Sequence, residues 1–276
     1  MKSILVALDE TESGAAAVSL SLALAKARGA AVAGATVLDT KYFTAPLPGA
    51  IGAAHYKTES DAALLQQAGT RNERLRAGFL AQCKAQGVEG TALALEGEPT
   101  DALREAAELH DVVAIGRDCE FHGQSGEGIA VTVERMLKNG PRPLLVTPNV
   151  ARAPARIVVA YDGSMPAARA LQMFALLQLA GDAEVLILSA ADEQAEADKR
   201  VAQAGAYLAL HGIKAKPLPV VSTADPAELV AVQATSFGAE MVVMGAYGHR
   251  GWHEALLGSF TTRFLTRCPA ALFIHH

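Results

Sequence analysis

The chain repeats itself. Ser3-Ile4-Leu5-Val6-Ala7-Leu8-Asp9 is matched by Arg156-Ile157-Val158-Val159-Ala160-Tyr161-Asp162. Each is a short apolar run closing on an aspartate, and the two aspartates lie 153 residues apart. His110-Asp111-Val112-Val113-Ala114-Ile115-Gly116 is echoed by Ala239-Glu240-Met241-Val242-Val243-Met244-Gly245 at an offset of 129 residues. The closing runs, Pro143–Val146 and Ala271–Ile274, are 128 apart. The offset falls by about 24 because the first copy carries extra residues between about 40 and 75. Self-similarity of this kind decides the architecture before local detail does. The 276 residues divide into two units of ordinary domain size, 1–149 and 155–276, with a polar linker bracketed by Pro148 and Pro154.

Within each copy, apolar runs alternate with helical spacing. In the second copy the runs are 156–161, 184–190, 214–221, 240–245 and 270–275, and helical periodicity covers about 165–179, 193–211, 225–237 and 258–267. Asp225 before Pro226 is good helix-start chemistry, and Pro99 followed by Thr100 and Asp101 marks the equivalent start in the first copy. Short runs rich in Val, Ile and Leu suit strands covered on both faces. Alternating β and α elements require parallel strands with right-handed crossovers. The expected fold class is α/β: two tandem, doubly wound, five-stranded parallel-sheet domains. Aromatic residues make up 5% of the chain, so their cores must be built from Ala, Val, Leu and Ile. The insertion at 42–58 is apolar, with two prolines and two glycines. It reads as a long loop, either a lid or a packing arm, and the arm is favoured because His55 is its one reactive side chain.

Several function classes drop out. The net charge of -5 and the lack of a basic stripe exclude general nucleic-acid binding, which needs clustered Lys and Arg. Cys83, Cys119 and Cys268 are far apart, with no CxxC or Cys/His cluster, so neither a disulfide framework nor a zinc site is expected. The first apolar run is too short for a signal peptide, and none approaches the roughly 20 residues of a membrane span. The expectation is reduced thiols and a cytoplasmic location.

The most specific motif starts at Gly245. It reads Gly245-Ala246-Tyr247-Gly248-His249-Arg250-Gly251-Trp252-His253-Glu254-Ala255-Leu256-Leu257-Gly258-Ser259-Phe260-Thr261, in pattern form G-x2-G-x9-G-S with Thr two residues on. In an open parallel sheet, ligands sit beyond the carboxyl ends of the strands, and Gly245 follows such a strand. Glycines let backbone approach a ligand closely. Gly258-Ser259 then opens a helix, whose free N–H groups and positive dipole suit phosphate. Ser259 and Thr261 add hydroxyls, and Asp162 faces the same crevice, where it would accept from ribose hydroxyls or adenine. The same glycines would also serve a plain tight loop and helix cap. The full spacing, with Asp162 in register, favours a ligand.

The motif, the aspartate after the first strand and Met244-Gly245 before the loop resemble the universal stress protein family over essentially the whole chain, as two tandem domains. The resemblance implies an adenine nucleotide alpha-hydrolase-like fold and adenine nucleotide binding: ATP, or ADP or AMP, with Mg²⁺ as an optional companion. It implies that Asp162 meets the nucleoside, that Ala190 contacts adenine through its backbone, and that Met244 and Gly245 line the ribose side. Gly248, Gly258, Ser259, Phe260 and Thr261 would hold the phosphates. It also implies pairing of the two domains through their last strands, and leaves room for a homodimer and an unidentified protein partner. The family loop usually reads Gly-Ser-His-Gly-Arg; here Tyr247 takes the His place and His249 the Arg place.

The first copy departs further. Aligned from the last strand, Ala130-Val131 replace Gly258-Ser259 and Cys119 replaces Gly248. Asp118, Glu120 and Glu127 bring negative charge where phosphate would sit, and one like-charge contact at ~4 Å costs on the order of 1–4 kcal/mol. No tight ATP binding is expected there, although Asp9 remains. His122, His249 and His253 read as surface residues, Cys119 as an unactivated thiol among acids, and Asp198-Lys199-Arg200 as a solvated helix face. No P-loop, dinucleotide fingerprint or nucleophile elbow occurs. The loop offers no lysine and no carboxylate pair for Mg²⁺, so binding is favoured over turnover. The leading expectation is a nucleotide-dependent stress-response protein; a slow ATPase and a nucleotide-free interaction module are the alternatives.

Overall fold

The computed structural model describes residues 1–44, 54–122, 130–246, 264–265 and 268–276. The first half runs β1 (Ser3–Ala7), α1 (Glu12–Arg28), β2 (Ala31–Leu38), α2 (Thr40–Phe43), α3 (Ala54–Gln86), β3 (Gly90–Glu96), α4 (Pro99–Ala107), β4 (Val112–Gly116), α5 (Val131–Asn139) and β5 (Leu144–Thr147). The second runs β6 (Arg156–Ala160), α6 (Met165–Leu176), β7 (Glu184–Ala191), α7 (Gln194–Leu210), β8 (Ala215–Val221), α8 (Pro226–Phe237), β9 (Met241–Gly245) and β10 (Ala271–His275).

Among the described residues each half has five strands, all parallel within the half, and the two sheets are joined into one of ten, in the order β3-β2-β1-β4-β5-β10-β9-β6-β7-β8. The seam is antiparallel: Leu272 opposes Val146, Phe273 opposes Leu145 and Ile274 opposes Leu144. All six are buried, so neither last strand is left as an open edge. The outer edge strand β8 reads AKPLPVV, and its two prolines withhold ladder donors, which discourages further strand addition.

Strand alternation splits the core into two layers. Ile4, Val6, Ile157 and Val159 face one layer with residues of α1, α3, α6 and α7, such as Leu20, Phe79, Phe174 and Val201. Leu5, Ala7 and Val158 face the other with Leu103, Val133 and Ala234 from α4, α5 and α8. Both layers are filled mainly by aliphatic side chains, as the scarcity of aromatics requires. The helix starts follow local chemistry: Asp225 accepts from the N–H of Ala227 at 2.9 Å, and Glu98 accepts from that of Asp101 at 3.0 Å.

The insertion differs from the expected loop. Tyr42 and Phe43 belong to α2, and 54–58 open α3, a 33-residue helix. At 1.5 Å per residue α3 is about 50 Å long; its counterpart α7 has 17 residues. Residues 45–53 lie outside the described residues. Among the described residues, no helix is long and apolar enough to cross a membrane.

Candidate functional site

In a doubly wound sheet, crossovers leave two neighbouring strands toward opposite faces, and a crevice opens at their carboxyl ends. The strand order puts that point between β6 and β9 in the second half and between β1 and β4 in the first. At the β6/β9 point lies a cavity of about 180 Å³. Asp162, Ala190, Met244 and Gly245 all line it, with apolar walls from Leu188, Leu229, Val230 and Phe264. Four of the nine sequence-derived site residues therefore meet in one place. The other five, Gly248, Gly258, Ser259, Phe260 and Thr261, lie outside the described residues, as do His249 and His253.

The turn after β6 sets the geometry. The Tyr161 N–H donates to Leu188 O at 2.9 Å and extends the ladder by one residue. Asp162 follows, and its Oδ1 accepts from the N–H of Ser164 at 2.9 Å. Gly163, at φ 77°, supplies the left-handed step of this turn. Ser164 then caps α6, accepting from Ala167 N–H at 3.3 Å. Among the described residues, nothing else donates to the Asp162 carboxylate.

Gly245 has a second reason to be glycine. A Cβ there would sit 2.3 Å from the Ala167 nitrogen and 2.5 Å from the Pro166 carbonyl carbon, both backbone atoms of α6. Gly116 stands in the same relation to α1, with Gly14 N at 2.6 Å and Ser13 C at 2.7 Å. Strand β9 can pass under the start of α6, and β4 under α1, only without side chains at these points. This glycine marks the packing of the fold in both halves and does not by itself distinguish a ligand site.

Arg200 corrects the reading of Asp198-Lys199-Arg200 as a solvated face. Asp198 and Lys199 are exposed, but Arg200 turns inward and lines the cavity. Its Nη1 donates to Ala190 O at 3.0 Å and its Nε to Glu196 Oε1 at 3.0 Å. Tyr161 lines the same cavity and feels both charges. Burial and the Asp162 carboxylate push its hydroxyl pKa up, and the Arg200 guanidinium opposes them.

The first half has the same crevice and fills it. After Gly116 the chain folds back: Cys119 N–H donates to Gly116 O at 3.1 Å, and Glu120 N–H donates to Asp9 Oδ2 at 2.8 Å. Thr11 Oγ1 donates to Asp9 as well, at 2.9 Å to Oδ1. The Cys119 thiol completes the set, so both carboxylate oxygens are engaged by the protein itself. The Cys119 and Phe121 side chains are 1% and 4% exposed and join the core layer of Leu5 and Ile115. Burial raises the Asp9 carboxyl above its ordinary range against the pull of these hydrogen bonds. Burial first, then the charges of Asp9, Glu120 and Asp118, lifts the Cys119 thiol well above its ordinary range, which disfavours the reactive thiolate. What faces outward is acidic: Glu10, Glu12, Asp118 and Glu120 line, with Arg71, a polar hollow of about 290 Å³.

His122 is not the plain surface residue the sequence suggests. Its ring stacks on Tyr42 at 3.7 Å between centroids, and its Nε2 lies 3.2 Å from Asp39 Oδ2. Arg71 Nη2 donates to Phe121 O at 2.5 Å. These contacts clamp the folded-back segment from outside.

Comparison with known proteins gives a consistent result. The model of the Universal stress protein family matches residues 1–119 and 155–275. Universal stress protein Slr1230 of Synechocystis sp. is 27% identical over 177 residues, 63% of this chain and 61% of that protein; the match thus spans about three fifths of the relative's length. A universal stress protein of Archaeoglobus fulgidus superimposes with a TM-score of 0.70 at 18% identity, covering 99% of this chain and 97% of that one. A Pseudomonas aeruginosa protein described as of the universal stress type gives 0.59 at 14% identity, covering 100% and 93%. The two structural likenesses speak to the fold, and the family match extends over most of the sequence: the chain belongs to the universal stress protein family.

Proposed function

We propose that this chain is a cytoplasmic stress-response protein that binds ATP, or a close adenine nucleotide, in the β6/β9 cleft, and that occupancy changes the surface it offers to a protein partner. The observation that carries the reading is the contrast between two related crevices. One has Cys119 and Phe121 packed into its apolar core and leaves an acidic hollow outside, whereas the other keeps an apolar cavity lined by a carboxylate. The apolar walls suit the faces of a purine, and the Asp162 carboxylate suits the hydroxyls of a ribose. At about 180 Å³ the cavity is smaller than the ~300 Å³ and above usual for drug-sized ligands. A purine base fits that space, with the sugar beside Asp162 and the phosphates outside the cavity.

On this reading Ala190 meets the base through its backbone, and Met244 and Gly245 flank the sugar. Gly248, Gly258, Ser259, Phe260 and Thr261 hold the phosphates through backbone N–H groups and hydroxyls, with Mg²⁺ travelling with ATP where present. Residues 1–149 then act as a structural first domain and 155–276 as the binding domain. Both belong to one chain that can pair with a second copy.

The test is calorimetry with ATP and AMP, together with chromatography of nucleotide released on denaturing the purified protein. One site per chain is expected. Asp162→Asn keeps an acceptor for the Ser164 N–H and removes the charge, so it should weaken binding by about tenfold, the worth of a charge-assisted hydrogen bond. Two equivalent sites per chain, or no binding at all, would overturn the proposal.

A further inference from the structure

The carbonyl of Ala190 has a defined direction. Along β7, Leu188 O accepts from Tyr161 N–H on the β6 side, and Ala191 O accepts from Ser222 N–H on the β8 side. Groups on a strand alternate, so the Ala190 carbonyl points, like that of Leu188, toward β6. But β6 ends at Ala160, and beyond that end lies the cavity. An acceptor aimed there has no strand to meet. Arg200 meets it instead, with Nη1 at 3.0 Å, while Glu196 holds Nε from behind. The Arg200 side chain is 19% exposed and its stem runs past Gly163, so the guanidinium is held against the cavity wall rather than waving in water.

We infer that Arg200 is a specificity-determining residue of this cleft: it engages the backbone acceptor that an exocyclic amino group would use and sets guanidinium donors beside it. The inference rests on the proposal that a purine nucleotide enters with its base edge toward Ala190. A 6-amino purine must then share the carbonyl, which has two lone pairs, with Nη1 and bring its own N–H against the guanidinium donors, whereas a 6-oxo purine brings an acceptor that a guanidinium can bind. Arg200 narrows the margin by which the cleft favours adenine over 6-oxo purine nucleotides, and its removal widens that margin to what a bare carbonyl gives.

The experiment measures AMP, IMP, adenosine and inosine binding by calorimetry to the full chain and to Arg200→Met and Arg200→Lys. Arg200→Met keeps the stem and loses the donors. It should tighten AMP and weaken IMP, changing the ratio of the two dissociation constants by about tenfold or more, since a hydrogen bond from a charged donor is worth about that much. Arg200→Lys, which keeps a charge and a single donor group, should fall between. The nucleosides should show the same ratio change, because the effect is at the base. An unchanged AMP-to-IMP ratio in both variants refutes the role of Arg200 and leaves the nucleotide site standing. Equal weakening of AMP and IMP with no effect on the nucleosides makes Arg200 a phosphate contact and likewise refutes it. If neither the native chain nor the variants bind any of the four, the nucleotide proposal itself fails, and this inference with it.

Discussion

Phe121→Ala tests whether the first crevice is filled by design of its sequence or merely overlain by a loop. The Phe121 ring is 4% exposed and lies in the core layer with Leu5, Ile115 and Ala130. Removing it forfeits ~2–3 kcal/mol of transfer free energy, and the cavity left behind adds to that wherever the surroundings cannot collapse. Collapse is hindered on both sides. Arg71 holds the Phe121 carbonyl, and the neighbouring His122 is stacked on Tyr42 and paired with Asp39. The expected loss is about 3–5 kcal/mol, which in equilibrium urea unfolding followed by circular dichroism lowers the midpoint by about 1 M or more at a slope of ~3 kcal/mol/M. Val131→Ala is the control: Val131 begins α5 close by in sequence but is 57% exposed, and its loss should cost less than about 0.5 kcal/mol. A Phe121→Ala loss as small as that of the control would show that the segment lies on the surface in solution, and the contrast between the two crevices would go with it.

Two further predictions follow from the same packing. Burial raises the Asp9 pKa above 3.8, so the folded state binds this proton more tightly than the unfolded chain. The resulting stability is complete below pH 3.8 and is lost as pH rises through the folded pKa. Native protein should therefore gain stability relative to Asp9→Asn as pH falls from 7 toward 4, and a pH-independent difference would contradict it. Gly245→Ala places a Cβ 2.3 Å from backbone of α6 and should cost at least ~1–3 kcal/mol, with Gly116→Ala similar. Loss of nucleotide binding by Gly245→Ala at unchanged melting temperature would show instead that this glycine serves only the ligand.

Much of this molecule is legible in its sequence because each element carries its own signal. The strand runs 184–190 and 240–245 are found within a residue at Glu184–Ala191 and Met241–Gly245, since a fully buried parallel strand must be continuously apolar. Asp225-Pro226 marks a helix start because capping is local chemistry. What escaped depends on direction or on distant partners. Three consecutive charges look like one solvated face, but successive helix residues are about 100° apart, so Asp198 and Arg200 diverge by about 200° and one of them turns inward. The Glu196–Arg200 spacing of four was the available hint. The start of α3 was hidden by glycines and prolines just before it and by a helix surface with little apolar stripe, as the exposure of most residues from Glu59 to Gln67 shows. The inward turn of Cys119 and Phe121 is set by contacts with Asp9 and Arg71, more than 100 and about 50 residues away.

The repeat itself separates features that serve the fold from those that serve a ligand. Asp9 and Asp162 both accept from the N–H two residues on, at 3.2 and 2.9 Å, and Thr11 and Ser164 both cap the next helix. Gly116 and Gly245 both make room for that helix. These residues persist in the half whose crevice is filled, so their presence in the other half is no evidence of binding. The difference begins past the glycine. Cys119 stands where the second copy has Gly248, and its bulk, with that of Phe121, is what occupies the first crevice. Filling the crevice needed no change at the aspartate; the loop's own N–H and thiol took over the carboxylate. It follows that Asp162→Ala would confound the turn before α6 with ligand contact. Asp162→Asn, which keeps the acceptor for Ser164, is the substitution whose effect on binding can be assigned to the carboxylate's charge.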